Sequence, residues 1–325
     1  MKIKKNYTLV TGGAGFIGST VVNFLLKEHS KVIVVDNLST GKKKLINPNV
    51  TFIKCDILDY KKLNKLVDRY KIDTIFHFAA SISTDESQKN PKKYFVNNVN
   101  GTENILKIGV HKKIKYFIFS STCAVYGDPL KKSVSEKNPT TPKNNYGLSK
   151  LLAETLIQQY SKKFSFKYAI LRYFNVVGAD PDLKTGQVGK GSLFKEISSN
   201  VSNNIFTVNV FGKDYKTKDG TCLRDYIDVN DLAELHLALC FYITTNRSIT
   251  VNCGYNKAYS VLNIISGFEK VLNKKIRINF LPRRTGDIQA IYSNSKLLKK
   301  ILPKWKQKFS LKESIKNSIK WEKIK

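Results

Sequence analysis

Short, almost unbroken apolar runs alternate with longer amphipathic stretches over the first 175 residues of the chain. YTLVT (7–11), KVIVVD (31–36), VTFIKC (50–55), DTIFHF (73–78), KYFIFS (115–120) and KYAILRY (167–173) predict strands. Residues apolar on both faces belong to strands covered on both sides, as in a parallel sheet between helices. Helical periodicity fills the intervals at 16–28, 59–70, 91–111 and 146–162. With right-handed crossovers these elements predict an α/β fold, a doubly wound parallel sheet with its ligand site at the carboxyl ends of the strands. Beyond residue 175 the pattern becomes irregular, with Gly-, Asp- and Lys-rich loops, a short strand TVNVF (207–211) and helices near 230–244 and 260–273. The expected division is 1–175, mainly the sheet domain, and 176–325, mainly a smaller lobe with segments returning to the first.

Composition narrows this picture. Hydrophobic residues make up 42% of the 325, enough for a substantial core, and no run approaches the ~18 apolar residues of a membrane span. The basic start, MKIKKNYTLVTGG, enters a glycine turn too soon for a signal peptide, so we expect a cytoplasmic protein. The five cysteines (Cys55, Cys123, Cys222, Cys240, Cys253) are scattered without a CxxC pair and are expected as thiols. The four histidines show no ligand spacing, and no metal is expected. The formal net charge of +31 comes from lysines dispersed as KK pairs along the whole chain. Dispersed charge reads as a solvated surface rather than a nucleic-acid footprint, and no basic–aromatic stripe offers a stacking platform.

The first predicted strand runs into TGGAGFIGST, with Gly12, Gly15 and Gly18 spaced GxxGxxG before an amphipathic helix. Glycines allow a tight turn and close approach of a pyrophosphate to a helix N-terminus. The second strand ends at Asp36, eighteen residues after Gly18, where a carboxylate accepts from ribose hydroxyls and repels a 2′-phosphate. The pattern points to NAD rather than NADP.

Tyr146 and Lys150 in NNYGLSK are four apart and share a helix face. A nearby cation favours a phenolate, which would make Tyr146 a general base near neutral pH. In YFIFSSTCAVYG (116–127) a strand ends in hydroxyls. Thr122 either hydrogen-bonds the reacting oxygen and relays a proton, or satisfies backbone groups at the strand end.

TGGAGFIG, DNLSTG, CDI (55–57), HFAA (77–80), NNVNGT (97–102), FSST…VYG, YGLSK, LRYFN (171–175) and DGTCLRDYIDV together resemble the extended short-chain dehydrogenase/reductase family, and within it the UDP-glucose/UDP-galactose 4-epimerases. The resemblance runs to about Tyr292. It implies that Phe16, Ile17, Asp36, Asn37, Asp56, Ile57, Phe78, Ala79, Ala80, Asn97, Tyr146, Lys150 and Phe174 contact NAD, along with Gly12, Gly15 and Gly18. It implies a UDP-sugar between the lobes, touched by Thr122, Asn175, Ser192, Leu193, Phe211, Arg224, Arg284 and Asp287. Two arginines suit bidentate binding of a diphosphate. It further implies a homodimer formed through helices near 91–111 and 146–162. The chain departs from the family pattern at Ile82, Val176 and Ser192, where lysine, proline and asparagine occur in relatives.

Related sugar-nucleotide dehydratases carry an acidic pair directly after the threonine. Here Cys123 and Ala124 follow, and neither can serve as that acid. The remaining set, Thr122, Tyr146 and Lys150, matches reversible oxidation at carbon 4, an isomerase reaction with NAD retained. The alternatives are UDP-N-acetylglucosamine or UDP-pentose epimerisation, because Ile291 stands where some relatives carry a tyrosine, and a non-catalytic NAD- or RNA-binding protein.

Overall fold

The apolar runs of the first half form strands β1 (Tyr7–Thr11), β2 (Lys31–Asp36), β3 (Thr51–Lys54), β4 (Ile72–His77), β5 (Tyr116–Thr122) and β6 (Lys167–Tyr173). The computed structural model describes residues 6–189, 191–284 and 287–324. A seventh strand, β7 (Ile249–Cys253), comes from the second half and joins the same sheet beside β6. All pairs are parallel and the order is 3-2-1-4-5-6-7. This is the doubly wound arrangement, and the strand order reverses between β1 and β4, where such sheets bind ligands.

Both faces of the sheet are covered. Helices α1 (Phe16–Lys27) and α5 (Val229–Thr245) bury Val21, Val22, Leu25, Leu232, Leu235 and Leu239 against one face. On the other face α2 (Tyr60–Val67), α3 (Gly101–His111) and α4 (Asn145–Phe164) contribute Leu63, Val67, Ile105, Leu106, Ala153 and Ile157. Each such side chain stabilises the fold by roughly 1.5–3 kcal/mol relative to exposure. The sheet is therefore anchored on both sides, and its carboxyl edge is left free for loops.

The stretch expected as one helix over 91–111 is broken. A short turn, Pro91–Tyr94, passes through a π-helical segment, Phe95–Asn100, before α3 begins. The wider turn aims Asn98 inward, where its amide donates to the Ser81 carbonyl and to Ser149 Oγ, each at 3.0 Å. Bulges of this kind commonly re-aim a side chain near a site.

A third core, built on Phe194, Tyr226, Ile264, Phe268, Ile315 and Ile319, gathers the helices Leu193–Ser202, Val261–Leu272 and Leu311–Ile324. Three small sheets accompany it. Asn175–Val177 pairs with Tyr226–Asp228, and Thr207–Phe211 pairs with Arg277–Leu281, both parallel. Leu223–Arg224 lies between Tyr259–Ser260 and Ala290–Ser293. Among the described residues no helix is long and apolar enough to cross a membrane.

Candidate active site

The glycine turn after β1 is shaped by contacts that exclude side chains. Gly12 has φ +72°, and a Cβ there would lie 2.5 Å from the Ala79 backbone nitrogen. A Cβ on Gly18 would lie 2.3 Å from the Gly12 carbonyl oxygen, so only glycine lets α1 pack this close to β1. Gly15 caps α1 without a side-chain hydrogen bond, which leaves the amides of the first turn, over Phe16 and Ile17, open to an anion. At the end of β2 the Asp36 carboxylate accepts from Ala14 N at 3.0 Å and Leu38 N at 2.8 Å, and is thereby fixed over the turn. Asn37 donates to Asp56 at 2.8 Å, and Ile57 is buried behind them. Phe78, Ala79 and Ala80 follow β4 on the other side of the turn, with Phe78 N bonded to the Thr11 carbonyl. These residues form a cradle open at the switch point, with an anion site and a fixed carboxylate, which fits a dinucleotide. Asn97 lies in the π segment, its amide on Asn98 Oδ1.

The hydroxyls that end β5 each have their own partner. Ser120 hydrogen-bonds Tyr173, whose hydroxyl also lies 3.1 Å from His236 Nε2. Ser121 Oγ donates to Glu154 of α4. Thr122 Oγ1 accepts from Ala124 N at 3.1 Å and also hydrogen-bonds the Tyr146 phenol. Thr122 thus satisfies a backbone amide at the strand end, as one reading expects, and also meets the tyrosine.

Asn144 caps α4 by accepting from Gly147 N at 2.8 Å, which sets Tyr146 in the first turn and Lys150 one turn on. Lys150 is buried, with its ammonium donating to the Ser120 carbonyl at 2.7 Å and lying 4.7 Å from the Phe119 ring centre. Burial pulls its pKa down to about 7, opposed by the charge of Glu154. Burial likewise pushes the Tyr146 phenol up to about 12, opposed by its bond to Thr122. A phenolate favoured by a neighbouring cation was the expectation from the spacing. Desolvation is the largest influence on the phenol, and the Thr122 bond, rather than Lys150, is what opposes it.

Behind this pair lies a polar network that the motifs did not reveal. Glu154 binds Arg172 through Nε at 3.0 Å and Nη2 at 2.6 Å. Arg172 Nη1 reaches the Tyr126 hydroxyl at 3.1 Å, which donates to Asn252 Oδ1 at 2.7 Å. Glu154 is four residues after Lys150, a spacing legible in the sequence, whereas Arg172 and Asn252 join only through the sheet.

Across the cleft, Phe174 is buried at the end of β6 and Asn175 follows, its backbone N–H bonded to the Asp225 carbonyl. Arg224 Nη2 lies 3.8 Å from Asp287 Oδ1, and the Arg284 guanidinium sits 3.7 Å from the centre of the Phe211 ring. Asp287 has its pKa raised by burial, with Arg224 and Arg284 opposing the shift. Arg224, Arg284, Phe211 and Asp287 thus form one cluster, while Thr285 and Gly286 between them lie outside the described residues. Ser192 caps the helix Leu193–Ser202 by accepting from Lys195 N at 3.2 Å and donates to Gln187 Oε1 at 2.9 Å.

A family model described as the NAD dependent epimerase/dehydratase family matches residues 8–254. The chain belongs to this family. A UDP-glucose 4-epimerase of Halalkalibacterium halodurans is 38% identical over 297 residues, which cover 90% of this chain and 89% of that one. The crystal structure of UDP-glucose 4-epimerase from Brucella ovis in complex with NAD superposes with a TM-score of 0.92 at 33% identity, covering 98% and 99% of the two chains. The UDP-Glc/GlcNAc 4-epimerase from Campylobacter jejuni superposes with a TM-score of 0.85 at 37% identity, covering 98% and 99%. For this epimerase/dehydratase family member, the seven-stranded sheet is thus the fold of its solved relatives.

Proposed function

We propose that this chain is an NAD-dependent isomerase that interconverts UDP-galactose and UDP-glucose by inversion at carbon 4. One observation carries the reading. Tyr146 hydrogen-bonds Thr122 at the end of β5, and the two residues that follow, Cys123 and Ala124, hold no acid to expel a hydroxyl. The site has a proton carrier and lacks the group that elimination needs. Burial also pushes the Cys123 thiol up to about 12, which removes it as a proton donor near neutral pH.

NAD, when bound, would supply a reversible hydride acceptor for carbon 4. Gly12, Gly15, Gly18, Phe16, Ile17, Asp36, Asn37, Asp56, Ile57, Phe78, Ala79, Ala80, Asn97 and Phe174 are the residues that would hold it. With the positively charged cofactor ring bound beside it favouring the phenolate, Tyr146 would take the proton of the carbon-4 hydroxyl, directly or through Thr122, and give it back after inversion. Lys150, charged, favours the phenolate on its own helix face. Arg224 and Arg284 clamp the diphosphate, with Asn175, Ser192 and Leu193 beside them, Phe211 by the uracil and Asp287 by the uridine ribose. The same anchors hold the nucleotide while the keto sugar turns over.

A second reading takes a different sugar on the same nucleotide. Ile291 is buried against Phe174, Val125 and Tyr126, beside Cys123, and no aromatic ring stands at that position. An N-acetylated hexose or a UDP-pentose is the second substrate class. The reading extends to a homodimer, supported by the exposed Leu148 and Leu152 one turn apart on α4, to two lobes mainly of 1–175 and 176–325 with segments of the second returning to the first, and to the cytoplasm, where the five thiols stay reduced.

The test is incubation of purified protein with UDP-galactose, adding neither cofactor nor reductant, followed by NMR of the anomeric proton. UDP-glucose should appear. No conversion even after NAD is added would reject the reading for galactose and move the N-acetylated and pentose nucleotides to the front of the same assay.

A further inference from the structure

The C-terminal helix Leu311–Ile324 lies more than 20 residues beyond the last residue of the candidate site, yet it grips the segment leading into one part of that site. Trp321 is buried, with its ring packed against Gly186, where a Cβ would lie 2.5 Å from the indole. Its Nε1 donates to the Gln187 carbonyl at 3.1 Å. Lys195, on the helix Leu193–Ser202, donates to the same carbonyl at 2.9 Å and pairs with Glu322. The side chain of Gln187 in turn accepts from Ser192 Oγ at 2.9 Å, the hydroxyl that caps that helix. Gln187, Ser192 and Lys195 thus form a closed ring of contacts, which Trp321 joins at the Gln187 carbonyl. Gln187 cannot shift without moving the first turn of the helix. Phe194 in that turn packs on Tyr226, whose strand pairs with Asn175 and follows Arg224.

We propose that Trp321 is a positioning residue for the nucleotide substrate, holding Gln187 so that Ser192 and Leu193 stand where they meet a nucleoside diphosphate. This rests on the reading of Ser192 and Leu193 given above. Neither Trp321 nor Gln187 touches the reacting carbon, so the effect falls on substrate affinity and leaves proton transfer alone.

Trp321→Phe keeps an aromatic ring on Gly186 and near Lys44 and removes the donor to Gln187. Gln187→Ala, at a partly exposed position, removes the acceptor for Ser192 and tests the same ring without touching the core. Ser202→Ala is the control. It removes a bond between the same two helices, Ser202 Oγ to the Ile319 carbonyl, away from Gln187. The dissociation constant of UDP is measured by calorimetry and KM and kcat with UDP-galactose by NMR, on protein with its cofactor as purified. Trp321→Phe and Gln187→Ala should each raise Kd and KM about fivefold, the loss of one ordinary hydrogen bond. Retained NAD and kcat should stay at wild-type values, and Ser202→Ala should match wild type in every respect. Unchanged Kd in both variants overturns the proposal, as does an equal rise in Ser202→Ala, which would indicate general loosening. If the wild-type protein binds UDP but leaves UDP-galactose unconverted, the proposed activity fails while the Kd comparison still decides the role of Trp321. If it binds no UDP, both fall.

Discussion

Glu154 is the residue whose removal should disturb this protein most for the smallest chemical change. It is buried, 1% exposed, and its carboxylate accepts from Arg172 twice, at 3.0 and 2.6 Å, and from Ser121. Glu154→Gln keeps the volume but turns one oxygen into an amide that faces a guanidinium donor. Arg172, itself only 6% exposed, is left with an uncompensated buried charge, with one amide oxygen and the Tyr126 hydroxyl as its acceptors. Breaking a buried pair in this way costs about 3–5 kcal/mol. Against a typical stability of about 5–15 kcal/mol this is a large fraction. Arg172→Met should cost a similar amount by orphaning the carboxylate. The double variant Glu154→Gln/Arg172→Met should cost clearly less than the sum, with a coupling energy of at least about 2 kcal/mol. Urea unfolding of the four proteins, followed by tryptophan fluorescence, measures the cycle. Strict additivity, or a Glu154→Gln variant within about 1 kcal/mol of wild type, would refute the reasoning. A kinetic signature should accompany it. Glu154 opposes the desolvation of Lys150, so its loss should move the alkaline fall of kcat/KM to lower pH.

Three further outcomes are expected. Tyr146→Phe should lower kcat by about 10²–10⁴ while the protein still purifies with NAD, checked by its absorbance after denaturation. Gly18→Ala should abolish NAD retention on gel filtration, because its Cβ would meet the Gly12 carbonyl oxygen at 2.3 Å and push α1 off the turn. The buried His77 and His236 have pKa values lowered by burial to about 3 and about 4, so below pH 6.5 the unfolded chain binds protons that the folded one refuses. Stability should therefore be lost as pH falls from 6.5, by about 4 kcal/mol at pH 5 for the two together, and thermal melts of His236→Gln should show a shallower fall.

The six strands of the first half were legible because each is a near-continuous apolar run. Their boundaries moved by a residue or two, most at β5, which continues through Ser121 and Thr122. β7 was not legible as a sheet strand. ITVNC carries Asn252, whose amide is buried on the Val134 carbonyl and the Tyr126 hydroxyl, a partnership only the tertiary fold supplies. The C-terminal helix was missed for a related reason. Its buried stripe includes Ser314, Ser318 and Glu322 among Ile315, Ile319 and Trp321, and lysines fill the other face, so apolar periodicity is diluted. Lys150 and Tyr146 could be found by spacing, but not the degree of burial that sets their protonation. The two arginines were visible as residue types. Their convergence on Asp287 required the short strand carrying Arg224 and the segment at Arg284 to meet.

The order of strands in the large sheet also has a consequence for the nascent chain. β6, KYAILRY, is an inner strand only because β7 pairs along it from Ile249↔Ala169 to Cys253↔Tyr173. Until residue 253 has left the ribosome, some eighty residues after β6, that strand is an open, apolar edge with unpaired backbone groups, the kind of template on which other chains add. The intervening segment includes α5, whose Leu232, Leu235 and Leu239 cover the same side of the sheet. Synthesis thus carries the large sheet through an interval of vulnerability that closes only when its last strand arrives from the far half of the chain.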